Sequence, residues 1–186
     1  MKSNSQFKLS NFKITVMETK TKSKRGNQPD RDTQNEIVIE RIFSLPVSKV
    51  WKAWSEPESF KKWWGPKDFT CPVSTINFKT GGKYLSCMRS SAGEEFWSTG
   101  VYQEIIPYKR IVYTDRFSDS KGNTIAASDH NLPGDWPEEL LVTVTLEEAG
   151  GKTVLRLQHQ GIPDEMYEDC IQGWNESFDK LEKNLK

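Results

Sequence analysis

The final segment of the chain constrains the fold most. From Pro163 to Lys186, Tyr167, Cys170, Ile171, Trp174, Phe178, Leu181 and Leu185 recur at steps of three and four, the spacing of one helix face. Asp164, Glu165, Glu168 and Asp169 cluster at its start, and Lys180, Lys183 and Lys186 at its end. Both placements complement the helix dipole. The spacing predicts an amphipathic helix of about six turns. A long helix with a single apolar stripe needs a surface to bury it against.

That surface is supplied upstream. Strand-like runs occupy 71–79, 83–90, 95–106, 109–118, 139–148 and 152–160. Gly81-Gly82, Ala92-Gly93, Pro107 and Gly150-Gly151 lie between them at hairpin spacing. An earlier strand begins near Glu36, where Ile37 and Ile39 alternate with Val38 and Glu40 before Ile42 and Phe43. Next comes LPVSKVWKAWSEPESFKKWWGP. Pro46 suits a first helical turn, because its missing N–H would lack a partner there anyway. Val47, Val50, Trp51 and Trp54 follow helical spacing. Pro57 breaks that helix and opens a second, which Gly65-Pro66 ends. The order is strand, two short helices, six-stranded meander, long helix. It predicts an α+β helix-grip: a curved antiparallel sheet of about seven strands around the C-terminal helix, with space for a pocket between them.

Composition narrows the rest. The chain has 186 residues, with 7 Trp, 5 Tyr and 9 Phe, too much large apolar surface for a disordered chain. No stretch approaches the roughly 20 apolar residues of a spanning helix. Residues 1–35 hold eight Lys/Arg and three acids. The remainder, 36–186, therefore carries 18 basic and 23 acidic residues, a net −5. Such a body is a poor nucleic-acid binder, because that affinity comes largely from neutralising phosphates. From Glu18 through Glu36 there is no apolar residue. Residues 1–35 are thus expected to be a flexible basic N-terminal extension, and 36–186 the folded domain. Three well-separated cysteines (Cys71, Cys87, Cys170) and two histidines lack the paired spacing of a zinc site, and no cofactor is expected. An odd, sparse cysteine count without an apolar signal core points to a reducing, cytoplasmic setting.

The strings IERIFSLPVSKVWKAWSEPESFKKWWGP, INFKTGGKYLSCM, GVYQEIIPYKRIVYT and GWNESFDKLEKNL occur in this order. Together they resemble the START-like helix-grip (SRPBCC) superfamily. The similarity is to its branch named after the activator of the 90-kDa heat-shock chaperone's ATPase (AHSA-type). It spans roughly 36–186, resting on Trp63-Trp64-Gly65-Pro66, Gly81-Gly82 and Gly173-Trp174. The resemblance implies a cavity for a small apolar or amphipathic ligand. Members include carriers, cyclases and a chaperone cofactor, so the fold alone does not fix the function. The eukaryotic cofactor carries a further, larger N-terminal domain, which 35 residues cannot supply. That argues against a simple transfer of the chaperone role.

The expected cavity wall comes from alternation along the strands. Tyr84, Ser86 and Met88 share one face of 83–90, and Ile111, Tyr113, Asp115 and Phe117 share one face of 111–117. With Phe96 or Trp97, and with Trp174 and Phe178 from the helix, they would enclose a pocket toward the lower end of the roughly 300–1,000 Å³ ligand range. Adjacent Trp63 and Trp64 diverge, so only one of them should face its mouth. Glu104, Asp115, Arg116, His130 and His159 are the candidates for acid–base chemistry. His130, between Asp129 and Asn131, is expected in solvent, and His159 in a hydrogen-bonded structural role. No nucleophile–base arrangement is apparent. The leading expectation is non-catalytic binding of a small apolar ligand by a monomer or weak homodimer. The alternatives are a cyclase, lyase or hydrolase using a cavity carboxylate, whose signature would be a buried, perturbed Asp or Glu, and a chaperone-interacting stress protein.

Overall fold

The protein is described here by a computed structural model covering residues 35–185. The extension expected over 1–35 lies outside the described residues, apart from Asn35, which opens the first strand. The elements are β1 (Asn35–Phe43), α1 (Val47–Ser55), α2 (Pro57–Phe60), β2 (Thr70–Ile76), β3 (Lys83–Arg89), β4 (Glu95–Ile106), β5 (Arg110–Ser118), β6 (Leu140–Ala149), β7 (Lys152–Ile162) and α3 (Tyr167–Leu185). Two short 3₁₀ turns, Ala127–His130 and Asp164–Met166, precede β6 and α3.

The seven strands form one sheet in the order β1-β7-β6-β5-β4-β3-β2. Every neighbouring pair is antiparallel. The chain therefore closes its first strand on its last, and β2 to β7 form the meander. This is the expected helix-grip, with small changes at the ends. β7 runs on to Ile162. Pro163 is still extended, with ψ 150, so α3 starts regular winding only at Tyr167. The acids Asp164 and Glu165 sit in the 3₁₀ turn before it.

Periodicity becomes packing as anticipated. β1 turns Ile37, Ile39 and Phe43 inward, at 7% exposure or less, and Ile42 outward, at 62%. Pro46 stands at the N-terminal boundary of α1, and Pro57 opens α2. α3 buries Trp174, Phe178 and Leu181. Their rings continue into those of the short-helix segment: Phe178 meets Phe43 at 6.1 Å and Trp63 at 6.4 Å, and Trp174 stacks on Trp54 at 6.2 Å. An ion pair between Arg41 and Asp179 ties β1 to α3 at the surface. Among the described residues no helix is long and apolar enough to cross a membrane.

Phe178 is wholly buried and touches rings from three directions. Phe178→Ala is expected to cost about 3–5 kcal/mol, lost transfer energy plus a cavity, measured by urea denaturation. A loss under about 1 kcal/mol would mean that α3 does not close the core through this ring.

Candidate functional site

The space under α3 is filled rather than open. Trp63 is 1% exposed, and its indole Nε1 donates to the Ala53 carbonyl at 2.9 Å. Trp63, Trp174 and Phe178 thus form a continuous aromatic block with Trp54. The interior space that remains lies beside this block, between the segment α1–α2–Trp64 and strands β2 to β6. Two small cavities lie there. The inner one, about 20 Å³, is lined by Trp54, Phe60, Trp64, Ile76, Tyr84, Tyr102, Tyr113 and Asp115. The outer one, about 70 Å³, is lined by Trp64, Met88, Phe96, Trp97, Ser98, Asp115, Arg116, Phe117 and Leu140. Trp64 and Asp115 border both and divide them.

Each of these two spaces is smaller than the pocket expected between α3 and the sheet, toward the lower end of the roughly 300–1,000 Å³ ligand range. Three of the side chains expected to wall the space are packed in the aromatic block instead. Of the expected residues, Trp64, Tyr84 and Tyr113 border the inner cavity, and Trp64, Met88, Phe96, Trp97 and Phe117 the outer. Trp63, Trp174 and Phe178 border neither. Strand alternation places Trp97 in the row opposite Phe96 and Ser98, and its indole donates to Glu95 at 3.0 Å at the surface. Trp54 and Phe60 of the short helices line the inner cavity too, and Ile76, Tyr102 and Leu140 are lining residues beyond those expected. Tyr102 stands two residues beyond Gly100 in the row Phe96, Ser98, Gly100, and that alternation could have found it.

Larger clefts are superficial. One of about 430 Å³ lies under the long loop after β5 and includes Arg116, Phe117, Ala127, Leu132 and Trp136. Arg116 and Phe117 also border the outer cavity, so loop cleft, outer cavity and inner cavity form a row. A separate cleft of about 540 Å³ is formed on another face by residues such as Glu40, Tyr108, Glu147 and Arg156, all exposed.

Asp115 is the chemical centre of the row. Its Oδ1 accepts the Tyr84 hydroxyl at 2.6 Å. Burial pushes its carboxyl up to about 6; the Tyr84 hydroxyl, the Arg116 backbone N–H and the Ser98 hydroxyl pull the other way without offsetting it. Burial also raises the phenols of Tyr84, Tyr102 and Tyr113, and the Asp115 charge adds to the effect on Tyr84 and Tyr113. All three stay neutral at ordinary pH. Arg116, next along β5, points the other way and pairs with Glu139 at 2.7 Å. A perturbed carboxyl of this kind, here partly buried, is the signature expected of the catalytic alternative.

Two close approaches hold this geometry. A Cβ on Gly100 would lie 1.7 Å from the Thr114 carbonyl oxygen and 2.9 Å from the Tyr84 ring. Only glycine lets β4 and β5 approach this closely and leaves Tyr84 free to reach Asp115. Gly65, at φ +95, turns the chain sharply after Trp64. The Lys180 ammonium of α3 then gathers that turn: Nζ lies within 3.3 Å of the carbonyl oxygens of Trp64, Gly65, Pro66 and Phe69. Trp64 itself packs on Phe60 at 5.0 Å and on Trp174 at 5.2 Å.

The remaining candidates fall away from the cavities. His159 accepts the Trp174 indole N–H on Nδ1 at 3.1 Å, and burial lowers it to about 4, so it is neutral and structural as expected. His130 is not in free solvent. The 3₁₀ turn folds its ring to 5.2 Å from Phe96 and 6.1 Å from Phe117, because Asp129 accepts the Ala126 N–H and tightens the turn. Glu104 pairs with Arg110 at the surface. Burial pushes the thiols of Cys71, Cys87 and Cys170 up to about 11, so none is a thiolate.

The shifted Asp115 carboxyl affects stability. Because its folded pKa is raised, the folded state holds its proton more tightly than the unfolded chain. Stability is fully present below about pH 4 and lost as pH rises through about 6. The shift corresponds to roughly 3 kcal/mol at neutral pH. Asp115→Asn, which keeps an acceptor for Tyr84, is expected to be more stable than the native chain at about pH 8, with the advantage gone near pH 4. Parallel urea denaturation at both pH values checks this; equal stability at high pH would mean that the carboxylate is not desolvated.

Comparison with known proteins places this geometry in context. The family model described as "Activator of Hsp90 ATPase homolog 1-like protein" matches residues 44–186. A crystal structure of a protein from Chromobacterium violaceum is 31% identical; 81% of this chain and 96% of that one are covered, with a TM-score of 0.68. The AHSA1 protein from Silicibacter pomeroyi is 22% identical, over 81% of this chain and 97% of that one, with a TM-score of 0.65. A solution structure of a protein from Arthrobacter aurescens is 22% identical, over 81% of this chain and 85% of that one, with a TM-score of 0.68. No curated protein matches the chain.

Proposed function

This chain belongs to the family of activator of Hsp90 ATPase homolog 1-like proteins, and from that premise we propose that it binds a small, mostly apolar molecule bearing one polar group. The molecule lies along the row from the loop cleft to the inner cavity. Its apolar part meets Met88, Phe96, Phe117 and Leu140, and its polar part meets Asp115. The observation that carries this reading is the desolvated Asp115 carboxyl at the junction of two aromatic-lined cavities. A buried carboxyl weakens the fold, and a site that binds a complementary group is the physical reason for one to persist. The cavities are small, so the ligand is either a few heavy atoms in size or admitted by rotation of Trp64, which would merge the two spaces.

The same carboxyl favours a second reading. An acid with a pKa near 6 can give and take a proton at neutral pH, so Asp115 could serve a lyase or hydrolase as its proton carrier. Against it, the other titratable groups bordering the inner cavity are phenols held neutral, and no second acid or base completes a pair there.

Titration with small neutral apolar probes, followed through the indole N–H signals of the seven Trp by NMR, tests the binding reading. Saturable shifts of Trp64 are expected, lost in Met88→Trp, which fills the outer cavity. Shifts that never saturate, or that survive Met88→Trp, would sink it.

A further inference from the structure

Among the described residues, Asp115 is a partly buried carboxylate with no cation paired to it. Its pKa is set by burial, the Tyr84 and Ser98 hydroxyls and one backbone N–H, and no cation contributes. The cations nearby are committed elsewhere: the Arg116 guanidinium to Glu139, and the Lys180 ammonium to the carbonyls of the turn 64–69. A buried charge normally has a partner, because leaving one unpaired costs several kilocalories per mole. What surrounds the carboxylate instead is aromatic. Phe60, Trp64, Tyr84, Tyr102 and Tyr113 border the inner cavity with it, and their rings lie close to one another: Tyr84 is 5.9 Å from Tyr102 and 5.6 Å from Tyr113, and Phe60 is 5.0 Å from Trp64.

Anionic oxygen on one side and aromatic rings on the others are the two features that attract an organic cation. We infer that the polar group of the ligand is a positively charged amine: the protein binds a small organic ammonium ion, its charged head in the inner cavity against Asp115 and its short apolar tail in the outer cavity. This rests on the binding reading above and names its ligand class. Size agrees. The inner cavity, about 20 Å³, holds one water-sized group, and an ammonium is such a group. The outer cavity, about 70 Å³, suits a short alkyl tail among Met88, Phe96, Phe117 and Leu140. The excess of acids over bases in 36–186 also draws cations toward the domain at long range.

The pH dependence follows from the groups facing Asp115 on every element around it. Tyr84 of β3, Tyr102 of β4 and Tyr113 of β5 stay protonated, as does the Cys170 thiol of α3, held at about 11. His159 titrates lower, at about 4. His130, over Phe96 and Phe117, is the remaining titratable group near the route, and measurements in His130→Gln remove it. Asp115 alone then changes charge near pH 6, so amine affinity should rise as pH increases through that value.

The experiment uses n-butylamine, 1-butanol and butyrate, which share a tail and differ in charge. Trp64 indole shifts are read in the full chain at moderate salt. At about pH 8 the amine is expected to bind about tenfold or more tightly than the alcohol, with butyrate weakest. The preference should collapse near pH 5, and also in Asp115→Asn. If the alcohol binds as tightly as the amine at high pH, or if the preference survives Asp115→Asn, the ammonium inference is overturned while the pocket stands. If neither amine nor alcohol gives a saturable Trp64 shift, the binding reading itself falls.

Discussion

The ring stack that runs from Trp54 through Trp174 and Trp63 to Phe178 and Phe43 is the contact on which the rest of the architecture rests. A curved sheet and one helix cannot by themselves exclude water from the concavity between them. Here the indoles of α1 and of the turn after α2 enter that space from the side and meet the helix's own rings. The sheet is closed by three elements rather than one. The leftover volume is displaced away from α3, toward β3, β4 and β5, and the cavities lie there.

The displacement explains why Asp115 is desolvated. It faces inward on β5, in a row with Ile111, Tyr113 and Phe117, and the neighbouring strands offer it hydroxyls rather than charges. Gly100 brings β4 against β5 closely enough that the Tyr84 ring lies over that glycine and its hydroxyl reaches the carboxylate. Two hydroxyls and a backbone N–H orient the group without neutralising it. A core optimised only for stability would place an amide or an apolar residue there.

Much of this was legible in the sequence, for reasons that separate cleanly. Period-two alternation identifies Tyr84, Tyr113 and Phe117 as inward residues, and period-3.6 spacing identifies Trp174, Phe178 and Leu181, because the sheet and helix each bury a single face. What alternation does not carry is volume. Whether inward rings enclose a space or fill it depends on how those of α1, α2 and α3 interdigitate, and this decides between a large pocket and two small ones. The Trp63–Trp64 pair is similar. Adjacency says that the two diverge, but the assignment of Trp63 to the core rests on its indole meeting the Ala53 carbonyl across the turn. His130 misleads for a different reason. Its polar neighbours suggest solvent, yet a single 3₁₀ turn suffices to lay the imidazole on Phe96. Asp115 stands out as a titratable residue on an inward row, but its shifted pKa is a property of its surroundings and becomes visible only when β3 and β4 are in place.

The hold of Lys180 on the turn after Trp64 has a mechanical consequence. One ammonium in reach of four carbonyls makes residues 64–69 move with the middle of α3. Trp64 borders both cavities, and its backbone is coupled to the longest helix while its ring is held separately, by packing against Phe60 and Trp174. On the binding reading, a molecule crossing between the cavities has to displace that ring from its packing against Phe60 and Trp174, a side-chain motion rather than a change in the sheet.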